Sequence, residues 1–422
     1  MLSSIRLKKE SEAAVRAGMP WLYAGDIIES SEHLHIPAGS LVRVENAKGQ
    51  FIGIGYFNNA SPIACRVLSL RDEVIDAAFF KARIEKALAA RVKRIDVPYY
   101  RLIHSEADGL PGLLVDRFGD VLVVQVGTAG MEKLQPFWMP ALEEIIKPEA
   151  IIFRNDTSAR KLEGLVQEVR VISLPLEGGG QGGGYLQSGK EDNDPHLNPP
   201  PSRGRKEWTV ELQENGCIYL ADLFKGQKTG WFYDQRDNRK MIAELSKEKT
   251  VLDVFSHSGG FALLAAKEGA STVSLVDSSQ LALDLAKQAA ALNAVEEKCE
   301  YLKGDAAEVM QALQEQGRQF DVVLVDPPAY IKSKKDFASG MKGYEKLARL
   351  ATPLVKTDGY LFVASCSHHA TRSAFNKAVL DGIKKAGKEA NILKQTAASP
   401  DHPRHPQLPQ SEYLKGLLLK MI

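Results

Sequence analysis

The stretch VLDVFSHSGGFALLAA (251–266) decides the fold class, because an apolar run gives way to a polar, glycine-containing turn and then to a second apolar run. Asp253 lies near the end of the strand-like run, and Gly259 and Gly260 open the helical one. An alternation of strands and helices predicts a parallel sheet with crossover helices. Four further strand-like runs continue it: TVSLVD (272–277), CEYLKGD (299–305), FDVVLVD (320–326) and GYLFVAS (359–365).

The chain before this alternation divides into two regions and an insertion. Residues 1–72 predict a small β-rich module, with alternating runs on both sides of a turn at 47–49. Residues 74–223 predict an α+β region that contains a helix over 77–93. The segment 177–206 is rich in glycine and proline and lacks apolar periodicity, so it predicts a disordered insertion.

The composition excludes several classes of protein. The chain has 422 residues and a formal net charge of +1, so a basic surface for nucleic acid has to be local. No apolar run approaches the ~18 residues of a membrane span, and the opening MLSSIRLKKESEAAV lacks the apolar core of a signal peptide. The four cysteines are scattered and form no CxxC pair, which predicts free thiols, no metal and a cytoplasmic location.

Acidic residues stand at the ends of the first three strand-like runs, where open α/β sheets bind ligands. Asp277 follows Asp253 at roughly the 20-residue spacing of a carboxylate that holds ribose hydroxyls, and Asp305 is suited to an adenine amino group. A structural turn, a dinucleotide site and an S-adenosylmethionine site are the three interpretations. SHSGGF (256–261) is not the GxGxxG of a dinucleotide site. Three successive acids favour S-adenosylmethionine, which has a carboxylate, a ribose and an adenine but no pyrophosphate.

The fourth strand-like run ends in a rigid loop, DPPAYIKSKK (326–335). Pro327 and Pro328 restrict the backbone there, and Asp326 is suited to contact the edge of a nucleobase. Simple termination of the strand is the structural alternative. Lysines follow that form a candidate phosphate clamp, although a lysine run is more often a solvated surface: Lys332, Lys334 and Lys335.

Cys366 follows the fifth strand-like run in ASCSHH (364–369), so we expect it beside the loop of Asp326. A thiol at a strand end is most often a small buried hydrophobe. A thiolate can instead add to C6 of cytosine, which makes C5 nucleophilic, and it leaves when the methylated C5 loses its proton. Asp326 would hold the Watson–Crick edge of a base that has left its helical stack.

In their sequence order, these motifs resemble the ribosomal RNA large subunit methyltransferase I family, and the resemblance covers nearly the whole chain. The stretches that carry it are IRLKKESEAAVRAGMPWLYAGDI (5–27), GYFNNASPIACRVLS (55–69), HSEADGLPGLLVDRFGDVLVVQ (104–125), GQKTGWFYDQRDNR (226–239), DVFSHSGGF (253–261), VDPPAYIKSKK (325–335), SCSHH (365–369), DHP (401–403) and YLKGLLL (413–419). Together these stretches are specific, whereas each alone is a weak signal.

The resemblance implies an α/β fold in which a β-rich PUA RNA-binding domain (1–72) and a small α+β central domain (74–223) precede a Rossmann-like class I methyltransferase domain (224–422). It implies that the chain forms 5-methylcytosine in 23S rRNA, with Cys366 as nucleophile, Asp326 beside it and S-adenosylmethionine as methyl donor. The implied cofactor site consists of Asp253, Phe255, Ser256, Ser258, Gly259, Gly260, Asp277, Ser278, Asp305, Ala306 and Asp326. The residues expected to flank the cofactor or the RNA are Gln227, Lys228, Thr229, Asp234 and Arg236.

Several alternatives stay open at this point. A 5-methyluridine enzyme uses a cysteine at the same place, an exocyclic-amine methyltransferase carries a similar Asp-Pro-Pro motif, and a non-catalytic RNA-binding protein could keep a vestigial fold. The insertion is not part of the family pattern. Pro328-Ala329 stands where another group of 5-methylcytosine enzymes has a second cysteine, so His368, His369 or a water is left to remove the C5 proton. The modified nucleotide, the form of the RNA substrate and the choice between monomer and homodimer are also undetermined.

Overall fold

The computed structural model describes residues 2–174 and 208–422, so the predicted insertion at 177–206 lies outside the described residues. The chain forms two compact units. The first comprises Met1–Thr209, Asp222–Trp231 and Asp401–Pro409, and the second comprises Val210–Ala221, Phe232–Pro400 and Gln410–Ile422. Two short later segments fold with the first unit in this division. The three predicted domains stay a prediction.

Within residues 2–174, the first unit begins with a five-stranded sheet in the order β1-β3-β4-β5-β2. Its elements are β1 (Ser3–Arg6), α1 (Lys9–Arg16), β2 (Trp21–Leu22), β3 (Ser40–Glu45), β4 (Phe51–Phe57) and β5 (Cys65–Ser69). The turn predicted at 47–49 is confirmed and joins β3 to β4. Asn46 Oδ1 closes it by accepting the backbone N–H groups of Lys48 and Gln50, both at 3.0 Å.

A second five-stranded sheet follows within the same range, in the order β10-β9-β8-β7-β6. Its elements are α2 (Ala77–Val92), β6 (Tyr99–His104), β7 (Leu113–Phe118), β8 (Val121–Val126), α3 (Ala129–Lys133), α4 (Gln135–Ile146), β9 (Ala150–Asn155), α5 (Ser158–Leu162) and β10 (Glu168–Ser173). The predicted helix over 77–93 is confirmed as α2. It begins where Asp76 accepts the N–H of Phe79 at 3.1 Å, and it buries Phe80 and Ile84 in the core of this sheet.

A buried ionic network holds the two later segments in the first unit. Asp116 on β7 accepts hydrogen bonds from Arg101 Nε at 2.5 Å and from the Thr229 hydroxyl at 2.6 Å. Asp401 Oδ2 accepts the backbone N–H of Arg101 at 3.0 Å. Asp116 and Thr229 are each 1% exposed. Because a buried carboxylate is stable only with such partners, the network fixes the segments that contain Thr229 and Asp401.

The second unit begins with a hairpin of β11 (Thr209–Glu214) and β12 (Cys217–Asp222), followed by α6 (Arg236–Leu245). The hairpin turns at Asn215 and Gly216, as the Asn-Gly pair predicts. Both residues have positive φ angles, 51° and 75°, which is the geometry of a tight turn that matches the twist of its strands.

Within residues 208–422, the main sheet has seven strands in the order β15-β14-β13-β16-β17-β19-β18. The elements are β13 (Thr250–Val254), α7 (Gly260–Lys267), β14 (Thr272–Asp277), α8 (Gln280–Leu292), β15 (Cys299–Lys303), α9 (Ala306–Glu315), β16 (Phe320–Val325), α10 (Phe337–Ala351), β17 (Val355–Ser365), α11 (Arg372–Lys385), β18 (Ala390–Thr396) and β19 (Lys415–Met421). The predicted alternation of strands and helices is therefore confirmed.

The strand order of this sheet places the candidate site. β13 pairs in parallel with both β14 and β16, and the chain crosses from one side of β13 to the other between β15 and β16. Ligands bind beyond the carboxyl ends of the strands at such a switch point. The last strand, β19, runs antiparallel to β17 and brings its first residue to the same edge. In the part of the chain that the structure describes, no helix is long and apolar enough to cross a membrane.

Candidate active site

Asp253 lies at the centre of the carboxyl edge of the sheet and is fully buried. Its Oδ2 accepts the backbone N–H of Ala262 at 3.1 Å. Its Oδ1 and the hydroxyl of Ser256 have no hydrogen-bond partner among residues 2–174 and 208–422. Burial, and then the nearby Asp326 carboxylate, raise the pKa of Asp253 to about 8. Buried acceptors without partners are costly, so this site fits a ligand that brings hydrogen-bond donors and positive charge.

The loop after β13 is held in an unusual backbone conformation. Phe255 and His257 have positive φ angles of 68° and 50°, and Gly259 has one of 82°. Non-glycine residues in this region store strain that surrounding structure must offset. A Cβ on Gly260 would lie 2.5 Å from Arg239 Nε, and one on Gly259 would lie 2.9 Å from Leu263 Cγ. Glycine is therefore needed at both positions, because a side chain there would collide with neighbouring protein atoms. The two glycines allow the chain to pack closely beside Asp253.

Two further predicted cofactor acids have different environments. Asp277 is half-buried, and its two oxygens accept the backbone N–H groups of His257 at 2.9 Å and Ser279 at 2.8 Å. This fixes its carboxylate beside the loop after β13. Asp305 is exposed and caps α9 by accepting the N–H of Ala307 at 2.9 Å. The adenine contact expected of Asp305 stays a prediction. The remaining predicted neighbours lie on the same edge, with Ser258 and Ala306 buried and Ser278 exposed.

Asp326, at the end of β16, is oriented by two amides that the sequence analysis did not single out. Gln235 Nε2 donates to Asp326 Oδ2 at 2.8 Å, and Asn238 Nδ2 donates to Gln235 Oε1 at 2.5 Å. Gln235 and Asn238 are both buried. Both amides lie within the stretch 226–239, next to charged residues. The sequence alone does not indicate a functional role for an amide beside an arginine.

The predicted flanking residues of the second unit are tied to protein partners. Asp234 is buried, its Oδ2 accepts the Tyr413 hydroxyl at 2.6 Å, and its carbonyl accepts the N–H of Ser399 at 2.9 Å. Arg236 is buried, and its Nη2 lies 3.6 Å from Glu214 Oε2. These contacts give both residues a structural role beside the site, and a direct contact with RNA stays a prediction for them.

The remaining residues of this predicted set lie at the surface or in the first unit. All three lysines of the loop after β16 are exposed, as either a phosphate clamp or a solvated face requires: Lys332, Lys334 and Lys335. In the first unit, Gln227 and Lys228 are exposed, and Thr229 is buried on Asp116. The role of Thr229 in the described structure is to hold its own segment.

Cys366 follows β17 directly and is half-buried, so the residue is not sealed in the core. β17 pairs in parallel with β16, which places this loop next to the loop of Asp326. Burial raises the pKa of all three other thiols, and it does so most for the two buried ones, Cys65 to about 12 and Cys217 to about 11. Those two cysteines are suited to packing, whereas Cys366 has the exposure that a nucleophile needs.

Buried hydroxyls anchor the Cys366 loop on both sides of the thiol. Ser365 Oγ donates to the Tyr344 hydroxyl at 2.8 Å, and the same hydroxyl lies 2.8 Å from Ser367 Oγ. Ser367 Oγ also accepts the N–H of Ile331 at 3.2 Å, which joins this loop to the one after β16. The nucleophile loop and the Asp326 loop are therefore held together as one rigid edge.

The two candidate bases after the thiol are both exposed. His368 stacks on Tyr413 with 5.2 Å between ring centroids, and its Nδ1 lies 3.3 Å from the carbonyl oxygen of Gln410. His369 lies at the surface. The stacking fixes the orientation of the His368 ring, and the base that removes the C5 proton stays a prediction among His368, His369 and a water.

The fold and the site together define a class of enzyme, the S-adenosylmethionine-dependent methyltransferases with a Rossmann-like domain. Two protein families match the chain: the PUA-like domain over residues 5–70 and the S-adenosylmethionine-dependent methyltransferase over residues 202–420. Among solved structures, a putative S-adenosylmethionine-dependent methyltransferase from Streptococcus mutans has the same fold, with a TM-score of 0.77 and 18% identity over 100% of both chains.

Curated relatives identify the particular family. The chain is 33% identical over 421 residues to the ribosomal RNA large subunit methyltransferase I of Aeromonas salmonicida, covering 99% of this chain and 98% of the relative. It is 33% identical over 429 residues to the enzyme of that name from Aliivibrio fischeri, covering 100% of both. The chain belongs to the ribosomal RNA large subunit methyltransferase I family and is an S-adenosylmethionine-dependent methyltransferase, so the predicted resemblance, fold class and cofactor are confirmed.

Proposed function

We propose that this enzyme methylates C5 of a cytosine in 23S rRNA and that Cys366 is its covalent nucleophile. The observation that carries the proposal is the half-exposed Cys366 on a loop bonded to the loop of Asp326, at the edge where Asp253 lies. The ribosomal substrate is supported by the relatives, which are named as methyltransferases of large subunit ribosomal RNA. The domain boundaries, a cytoplasmic location and the monomer or homodimer state stay predictions.

The proposed chemistry gives each residue a defined task. The Cys366 thiolate adds to C6, forming a C–S bond and moving electron density to C5. S-adenosylmethionine, when bound, would supply the electrophilic methyl group. C5 would accept it as the methyl–sulfonium bond breaks, and S-adenosylhomocysteine would be the leaving group. A base then removes the C5 proton, the C5=C6 double bond re-forms, and the C–S bond breaks to return the thiolate. Splitting one difficult substitution into an addition and an elimination lowers both barriers.

Asp326 supports cytosine over uridine as the target base. A carboxylate accepts a hydrogen bond from the cytosine amino group, whereas uridine presents a carbonyl oxygen at that position. Gln235 donates to one carboxylate oxygen, and this bond orients the group. Because the Asp326 carboxylate is already oriented, it can select the base without a large cost in free energy for its own rearrangement.

The first test maps methylation in rRNA from cells that carry the wild-type enzyme, the Cys366→Ala variant or neither. We expect one bisulfite-resistant cytosine that appears only with the wild type and is missing with Cys366→Ala, because the covalent route is lost. Cys299→Ala is the matched control and should keep full activity. Methylation of uridine instead of cytosine, or an active Cys366→Ala variant, contradicts the proposal.

A second test traps the adduct itself. Fluorine at C5 of the target cytosine cannot leave as a proton does, so the C–S bond should persist after methyl transfer. We expect a denaturation-resistant protein–RNA complex for wild type and Cys299→Ala but none for Cys366→Ala. A complex whose RNA-linked peptide lacks Cys366 assigns the nucleophile to another residue.

A further inference from the structure

A lysine side chain is buried against the backbone of the Cys366 loop. Lys415, the first residue of β19, is only 3% exposed. Its ammonium donates to the carbonyl of Ser367 at 3.0 Å and to the carbonyl of Tyr413 at 2.8 Å. An ammonium has three N–H donors, and these two bonds leave a third for a group in its surroundings.

The strand pairing places this ammonium on the backbone of the loop that carries Cys366. In the antiparallel pairing of β17 with β19, Lys415 is the register partner of Ser365. Its Nζ bonds to Ser367, so it contacts the residues on both sides of Cys366. Other residues of β19 do not reach this loop in the same way. Alternate side chains of a strand point to opposite faces, and later residues lie further along the strand.

Three charged or titratable groups act on Lys415: Arg372 from α11, Glu412 from the segment before β19, and Cys366 from the loop after β17. Arg372 and Glu412 form an ion pair with each other at 2.5 Å. Burial, and then Arg372, lower the pKa of Lys415 to about 8, while Glu412 and Cys366 act in the opposite direction. At neutral pH most Lys415 side chains therefore still carry a positive charge.

We infer that Lys415 is a positioning residue that stabilises the Cys366 thiolate through its buried ammonium and so extends the formation of the nucleophile to neutral pH. The inference rests on the proposed function for its role in the reaction, but the effect on the thiol stands independently of which RNA base is methylated. A positive charge within a few ångströms lowers the pKa of a thiol and raises the fraction that can attack.

The test measures alkylation of Cys366 by iodoacetamide as a function of pH in the full chain, with the modified peptide resolved by mass spectrometry. The informative variant is Lys415→Gln, which keeps N–H donors for the two carbonyls but removes the charge. We expect the pH midpoint of Cys366 alkylation to rise by about 1 to 3 pH units, with a fall of at least about tenfold in rate at pH 7 and little change at pH 10.

Two controls separate charge from structure. Lys415→Arg keeps the charge and should restore most of the alkylation rate at pH 7. Lys420→Met removes a lysine from the same strand, where it pairs with Asp358 at the other end, and should leave the midpoint unchanged. A Lys415→Gln midpoint equal to that of wild type, or a loss that Lys415→Arg does not rescue, overturns the inference.

The wild-type profile keeps the inference testable even if Lys415→Gln fails to fold. A free thiol has a pKa of about 8.5, so a wild-type Cys366 midpoint below that value supports the inference and one at or above it overturns it. Failure of the proposed function has a different signature. In that case Cys366→Ala still methylates RNA, while the dependence of the Cys366 midpoint on Lys415 is unaffected.

Discussion

At the scale of single residues, Asp253 links the cofactor site to pH. The residue is fully buried, and burial raises its pKa to about 8, so it holds a proton at neutral pH when no ligand is bound. S-adenosylmethionine carries positive charge on its sulfonium and ammonium groups. A cation close to a carboxyl group favours the ionised form and lowers its pKa. Binding should therefore displace the proton of Asp253.

We predict that cofactor binding releases about one proton at pH 7 and that affinity rises with pH by up to about tenfold per unit until pH 8. Above pH 8 the free enzyme is already ionised, so affinity should level off. Calorimetry in two buffers with different ionisation enthalpies measures the proton release. Asp253→Asn should lose it, whereas Asp284→Asn, on the exposed face of α8, should keep it. Binding without proton exchange contradicts this account.

At the scale of elements, the Tyr344 hydroxyl joins α10 to the loop after β17. It bonds to Ser365 and Ser367, and Ser367 in turn accepts the N–H of Ile331. The side chains of Tyr344, Ser365 and Ser367 are fully buried. Buried hydroxyls without partners are costly, so this cluster holds the Cys366 loop in a single conformation.

We predict that Tyr344→Phe destabilises the protein by about 1–3 kcal/mol and lowers kcat more than it raises the KM for RNA, because the thiol is less firmly positioned. Denaturant unfolding and steady-state methylation measure the two effects. Tyr360→Phe on β17 is the control and should change neither, since its ring is partly exposed beneath Lys249. Unchanged kcat in Tyr344→Phe would show that the thiol loop does not need this anchor.

At the scale of the whole molecule, the chain returns twice to its first unit. The segments 222–231 and 401–409 fold there, and the buried Asp116 bonds to Arg101 and Thr229. From its sequence motif, Thr229 is predicted to lie beside the cofactor or the RNA. The structure gives Thr229 a local role, because its hydroxyl donates a hydrogen bond to the buried Asp116 carboxylate.

We predict that Asp116→Ala destabilises the first unit by about 3–5 kcal/mol, because it leaves the Arg101 guanidinium without its buried carboxylate. Faster hydrogen exchange in β6 and β7 would report the loss. Asp96→Ala, at an exposed position of the same unit, should leave exchange unchanged. Equal exchange in wild type and Asp116→Ala would show that the network contributes little stability.

Three features could be predicted from the amino-acid sequence: the alternation of strands and helices after residue 240, the acids at the strand ends and the cysteine after the fifth strand. Those features are local, because apolar periodicity and turn residues act over a few neighbours. The hairpin at Asn215 and Gly216 was predictable for the same reason.

The distant side chains that meet these local features could be identified from the folded chain alone. Gln235 orients Asp326 from 91 residues away, and Lys415 reaches the Ser367 carbonyl from 48 residues away. No periodicity encodes such pairs, because strand order and antiparallel register bring them together after the elements have formed. The chemistry of the thiol thus depends on a strand that is contributed by the last residues of the described chain.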